Sequence, residues 1–109
     1  MVTNEIVQKI LNTLESSWNN ANGTEFATPF ADTSDFVDIR GSLYPNATQQ
    51  QLGQAHHGLF MGIYKGSKVV YKLVQSILID QNTILAHADR KSTRLNSSHS
   101  SVSRMPSSA

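Results

Sequence analysis

The feature that most limits what this chain can fold into is its last twenty-one residues, 89–109. Asp89-Arg90-Lys91-Ser92-Thr93-Arg94-Leu95-Asn96-Ser97-Ser98-His99 is the translation, without a mismatch, of a common short-read sequencing adapter. After a barcode-sized gap, Ser103-Arg104-Met105-Pro106-Ser107-Ser108-Ala109 translates the far half of the same adapter in a compatible frame, and Val102 fits the base before it. The alternative is a natural, disordered Ser/Arg-rich tail. Scars of this kind are set aside before fold reasoning. The expectation is a folded domain over residues 1–88, cut off within a strand, followed by a non-native, disordered tail over 89–109.

Setting the tail aside reverses the sign of the charge. Residues 1–88 carry five basic side chains against seven acidic ones, a formal charge of −2, whereas the whole chain is +1 with a pI near 8.1. A basic arm for nucleic acid is therefore not expected, because the domain has no cationic stripe to neutralise phosphates. No apolar run approaches the roughly 20 residues of a membrane span. Glu5, Lys9 and Asn12 interrupt any secretory signal pattern at the N-terminus. There is no cysteine, hence no disulfide and no thiolate metal site. Asn22-Gly23-Thr24 and Asn46-Ala47-Thr48 read as turns rather than glycosylation acceptors. A cytoplasmic domain without nucleic-acid or membrane partners is the expectation.

Ile6, Ile10, Leu14 and Trp18 recur at i, i+4 with Val7 and Leu11 beside them, predicting an amphipathic helix over about 3–21 that stops at Asn22-Gly23. Thr24 is placed to cap a short helix carrying Phe26 and Phe30. Residues 35–40 alternate as a strand ending at Gly41, with Val37 and Ile39 as its core residues, and Leu43-Tyr44 is a short partner strand. Thr48-Gln49-Gln50-Gln51 is a capping box. It opens a third helix through Leu52, Ala55, His56, Leu59, Phe60 and Ile63 to Gly66. Residues 68–79 read as a long strand, with Val69, Tyr71, Leu73, Ile77 and Ile79 on one face and Val70, Val74 and Leu78 on the other, partly covered on both sides. Asp80-Gln81-Asn82 turns the chain into a return strand over 83–88.

That order of elements, with Trp18-Asn19-Asn20-Ala21-Asn22-Gly23, Asp35-Phe36-Val37-Asp38-Ile39-Arg40-Gly41, Gln54-Ala55-His56-His57-Gly58-Leu59-Phe60, Ile63-Tyr64-Lys65-Gly66-Ser67 and Ile84-Leu85-Ala86-His87, resembles the nuclear transport factor 2-like, SnoaL-like superfamily. The residues are most similar to its SgcJ/EcaC branch of small bacterial proteins, over about residues 4–88. The resemblance implies an α+β cone: N-terminal helices packed on a curved antiparallel sheet around an apolar pocket. It also implies that two C-terminal strands, which complete the sheet and often the dimer face, are missing. Members include isomerases, cyclases, hydrolases and non-catalytic modules, so the fold licenses a pocket and not a reaction. The branch carries an oxidoreductase label, yet no nicotinamide or flavin motif is present. Any oxidation would be independent of a cofactor, and none is expected.

The candidate site follows from these placements. His56, between Leu52 and Leu59, lies on the apolar face of the third helix, with His57 turned away. It is either a hydrogen-bonded core residue or a general acid/base near neutral pH. Asp38 shares a face with Phe36 and Arg40. If that face lines the cone, Asp38 is a base or a partner for His56; if not, Asp38 and Arg40 are a surface pair. Trp18, Phe30, Phe36, Tyr44, Phe60, Tyr64 and Tyr71 are candidate pocket walls, or simply core. His56, His57, His87 and Asp38 show no metal-ligand spacing, so no metal is expected. The functional expectation is a pocket for a small apolar or polyketide-like molecule. It would serve either proton-transfer chemistry with Tyr44 or Tyr64 as hydrogen-bond donor, or a non-catalytic, homodimeric binding module.

Overall fold

A computed structural model describes residues 3–93 and the backbone of 102–107. Helix α1 (Thr3–Asn19) and the short α2 (Gly23–Ala27) precede a hairpin of β1 (Thr33–Val37) and β2 (Leu43–Thr48). Then come α3 (Gln49–Met61), the long β3 (Lys68–Asp80), β4 (Thr83–Thr93) and β5 (Val102–Ser107). β1 and β2 form a two-stranded antiparallel sheet, and β3, β4 and β5 an antiparallel sheet in that order.

α1 buries Val7, Leu11 and Trp18, with Leu14 packed beside them, while Ile10 is exposed. The buried stripe is thus rotated towards the Val7–Leu11 side of the expected face. α1 does more than cover the sheet, because its polar side chains occupy the open edge of β3. The Asn19 amide accepts from Val69 N (2.8 Å) and donates to Val69 O (3.1 Å), and Glu15 accepts from Tyr71 N (2.8 Å). Backbone groups that would otherwise template another strand are thereby satisfied. Trp18 Nε1 donates to Ser67 Oγ (3.0 Å), pinning the strand's entry to the core.

The core gathers Trp18, Phe26, Phe60 and Val69, with Phe30, Tyr64 and Tyr71 packed against it. Each fully buried large apolar side chain contributes about 1.5–3 kcal/mol. α2 is capped by Asn22, whose side chain accepts from Glu25 N, and not by Thr24. Gly23 lets α2 and α3 touch backbone to backbone, since a Cβ there would sit 2.3 Å from Gly53 O.

Three expectations are corrected by the packing. Val37 and Ile39 are 57% and 51% exposed, and Phe36 and Asp38 turn inward instead. In β3 a register shift between Leu73 and Gln75 leaves Val74 as an extra residue, and alternation inverts beyond it. Ser76 then meets Asn4 on the helix side, while Ile77, Leu78 and Ile79 at the far end of the strand are all exposed, like Val70 and Val74. The outer face of β3 is therefore uncovered. Finally, β4 does not stop at Ala88: Asp89–Thr93 continue it opposite Lys68–Lys72, and β5 pairs along the same stretch. That departs from the disorder expected of 89–93 and 102–107. Its physical cause is the length of β3, whose first residues need a partner ladder that any backbone can supply. Residues 94–101 and 108–109 lie outside the described residues.

Candidate functional site

A cleft of about 580 Å³ opens between the β1–β2 hairpin and α3. Phe36, Asp38 and Tyr44 face it from the hairpin, and Leu52, His56 and Leu59 from the helix. The capping box that sets the start of α3 is formed in both directions, Gln51 N to Thr48 Oγ1 and Thr48 N to Gln51 Oε1. From that fixed start, Leu52 and His56 fall one turn apart on the face towards the hairpin.

His56 is 6% exposed. Its Nδ1 lies 2.8 Å from Leu52 O, so Nδ1 carries the proton and donates, and Nε2 holds the lone pair that the ring has left to offer. Phe26 stacks on the imidazole at 4.2 Å between centroids, and Phe36 meets it edge-on at 5.4 Å. Burial pushes its pKa below the usual value; the Leu52 carbonyl opposes this and the Arg90 charge adds to it. The ring is neutral at pH 7, as an acceptor or general base must be.

Asp38 organises the hairpin tip. Its Oδ1 accepts from Arg40 N and Ser42 N, both at 2.9 Å, and its Oδ2 accepts from Tyr44 Oη at 2.9 Å. Arg40 Nη2 is 3.9 Å away on an exposed side chain. The Ser42 amide, followed by Tyr44, Arg40 N and the Arg40 charge, holds the carboxyl below its ordinary pKa despite some desolvation. The bond to Asp38 in turn raises Tyr44. Asp38 therefore stands as a carboxylate beside the cleft, bound to Tyr44 and not to His56. Both readings of its face hold in part: it borders the cleft and it also pairs with Arg40.

The structure brings together Phe36, Asp38, Tyr44 and His56 of the expected site. Trp18 and Phe60 lie in the core at 4% and 2% exposure, and Phe30, Tyr64 and Tyr71 pack against that core rather than lining the cleft. Tyr71 is raised by burial. Sequence reasoning missed Leu43, Pro45, Leu52, Ala55 and Leu59 as lining residues. For Leu52 and Leu59 the helical spacing to His56 was the available signal. His57 lies in a second hollow of about 630 Å³ between α2 and α3, among Thr24, Thr28, Gln49 and Gln54. That hollow is lined by no Phe, Tyr or Trp ring and no carboxylate. Among the described residues no group of three His, Asp or Glu side chains converges as a metal site would require.

No protein-family description matches the sequence, and no curated protein does. Solved structures do match. A domain of unknown function with a cystatin-like fold from Nostoc punctiforme superposes with a TM-score of 0.81 at 15% identity, covering 97% of this chain and 67% of that one. A hypothetical protein with a ketosteroid isomerase-like fold from Catenulispora acidiphila, in complex with trimethylamine, superposes with a TM-score of 0.60 at 13% identity, covering 89% of this chain and 71% of that one. The chain has a mixed α+β, ketosteroid isomerase-like (nuclear transport factor 2-like) fold.

Proposed function

We propose that the cleft between the hairpin and α3 binds a small, largely apolar molecule, in a SnoaL-like domain of the SgcJ/EcaC branch. The observation that carries this reading is His56: a buried, neutral imidazole set in an apolar wall, with Nδ1 committed to Leu52 O and one acceptor nitrogen left over. The cleft volume also falls within the roughly 300–1,000 Å³ of ligand pockets. That a neighbour of the same fold is described in complex with trimethylamine supports a small organic occupant. Chemical-shift mapping of the 109-residue chain against a panel of small apolar fragments tests it. Shifts confined to Phe36, Tyr44, Leu52 and His56 are expected, and undisturbed signals at millimolar fragment would overturn the reading.

A non-catalytic binding module is favoured over an enzyme by one observation: Asp38 is spent on the hairpin turn and Tyr44, leaving His56 bonded only to backbone. The catalytic reading is cofactor-independent proton transfer, with His56 Nε2 as base and Tyr44 as donor.

The intact parent is proposed as a longer, cytoplasmic, bacterial homodimer, with residues 89–109 foreign to it. The exposed Val70, Val74, Ile77 and Ile79 support a dimer face on the sheet. Arg90 supports the foreign origin. It is 8% exposed, its guanidinium lies 4.9 Å from the Trp18 ring centroid and bonds the Tyr71 hydroxyl, but its Nε has no partner and no carboxylate pairs with it among the described residues. A charge buried on those terms is what a sequence selected with its fold avoids. Reading the source locus from a library with different adapters tests this: divergence after Ala88 is expected, and persistence of residues 89–109 would overturn it.

A further inference from the structure

We infer that the hairpin end of the cleft recognises a cationic amine head group, so that the occupant is an alkylammonium compound whose apolar body lies along α3. The inference rests on the proposed reading of the cleft as a binding site. It commits that site to a ligand class.

Three features of the lining point there. The first is charge. Asp38 is the only ionised acid among the lining residues, and its Oδ2 faces Tyr44 at the hairpin end. Three neutral donors fix the carboxylate in place, so its negative charge is only weakly offset. The Arg40 guanidinium, which also borders the cleft, has an 82% exposed side chain and reaches only 3.9 Å; exposed pairs of this kind contribute little.

The second feature is the rings. Phe36 stands between Tyr44, at 6.4 Å and 45°, and His56, at 5.4 Å and 85°. Rings packed on one another in this way form a continuous aromatic wall beside the carboxylate, and such a wall favours a weakly hydrated cation over a strongly hydrated one, because the ring quadrupole attracts charge without demanding hydrogen bonds. The neutral imidazole adds no repulsion.

The third feature is the rest of the wall. Leu43, Pro45, Ala47, Leu52, Ala55 and Leu59 offer no donor or acceptor in their side chains, the Gln51 carbonyl is engaged by Thr48 N, and the volume of about 580 Å³ far exceeds a bare ammonium group. An apolar body must fill it. An anionic ligand would meet Asp38, and a wholly neutral one would leave the carboxylate facing hydrocarbon, which costs free energy.

The test uses a pair of molecules matched in shape. Choline carries the charge, and 3,3-dimethylbutan-1-ol replaces its nitrogen with carbon. Both are titrated into the full chain and followed by amide and aromatic chemical shifts of Phe36, Tyr44 and His56. Choline is expected to bind about five- to tenfold tighter than the alcohol. Asp38→Asn should remove most of that preference, weakening choline while the alcohol holds or gains affinity. Arg40→Ala, on an exposed side chain, should strengthen choline alone by removing its competitor. Should Asp38→Asn loosen the hairpin, as lost dispersion of its amide signals would show, Arg40→Ala decides the matter. If both probes perturb the cleft equally, or the alcohol binds tighter, the cation inference falls while the binding site stands. If neither perturbs it, both fall.

Discussion

Adding one methyl group at Gly23 should separate α2 from α3. A Cβ on this residue would lie 2.3 Å from Gly53 O, 2.7 Å from His57 N and 3.0 Å from His57 Cα, all backbone atoms that cannot rotate aside. Relief requires α2 to retreat by the better part of an ångström. A gap of that size forfeits roughly a quarter to a half of each dispersion contact across the interface. The contacts at stake include Phe26, which is 4% exposed, and Ala27, which is 3% exposed. Overpacking of this kind costs about 1–3 kcal/mol, and the backbone nature of the clash places Gly23→Ala near the upper half. Alanine's helical preference returns less than about 1 kcal/mol. A net loss of about 2 kcal/mol lowers Tm by about 8–16 °C in a domain of this size. The control is Gly58→Ala in the same helix pair, where an added Cβ meets nothing within 4 Å. There helix propensity acts alone, and stability should rise by about 0.5–1 kcal/mol. Circular dichroism melts of the two variants read opposite signs from one chemical change. A Gly23→Ala melt at or above that of the parent would refute the close α2–α3 approach, and with it the stacking of Phe26 on His56.

Burial lowers the His56 pKa in the fold, so the unfolded chain takes up a proton first as pH falls. Its contribution to stability is complete above about 6.5 and is lost below, with a slope of up to about 1.4 kcal/mol per pH unit, and urea melts from pH 7.5 to 5 should lose that slope in His56→Gln. Thr48→Ala removes the acceptor for Gln51 N and should cost about 1 kcal/mol, read as a shift in urea midpoint at constant m. Arg90→Met exchanges a buried guanidinium that no carboxylate pairs with for a shorter, neutral thioether, and Tm should hold or rise; a fall of more than a few degrees would mean that the Trp18 and Tyr71 contacts outweigh desolvation.

Features that depend on neighbours within a few residues were legible in the sequence. The capping box at Thr48–Gln51 fixed where α3 starts, and three residues of periodicity then put His56 inside and His57 outside. Alternation identified the β1 and β3 strands, but it could not say which face is buried. In β1 both candidate faces hold apolar residues, and the choice of Phe36 over Val37 and Ile39 is made by α3, which lies against the Phe36 side. In β3 the extra residue at Val74 reverses the alternation half-way, and no residue type announces it. The role of Asn19 and Glu15 at the edge of β3 depends on a helix some fifty residues away in sequence. Composition could not separate wall from core among the aromatics either. Trp18 and Phe60 are core because their rings pack edge to face between α1 and α3, whereas Phe36 and Tyr44 lie on the side of the hairpin that borders the cleft.

His56 belongs to both regions, and this determines how the cleft has to be probed. One side of its ring packs on Phe26 and lies near Trp18 and Phe60, within the core. The same ring forms part of the cleft wall beside Phe36. Any substitution at 56 therefore changes the cleft and the stability together. A lost signal in a binding assay could then report either one. Asp38, Arg40 and Tyr44 sit on the hairpin, away from that core, and their bonds are with one another. Changes there alter the charge of the cleft and leave the Trp18–Phe26–Phe60 packing intact. The coupling also works in the other direction: a ligand that fills the cleft stabilises the fold by RT ln(1 + [L]/Kd). A ligand at a hundred times its Kd adds about 2.7 kcal/mol, enough to raise Tm well above the scatter of a melt. Ligands of this cleft are thus findable by thermal shift on the unaltered chain, with the hairpin variants separating charge recognition from mere filling of space.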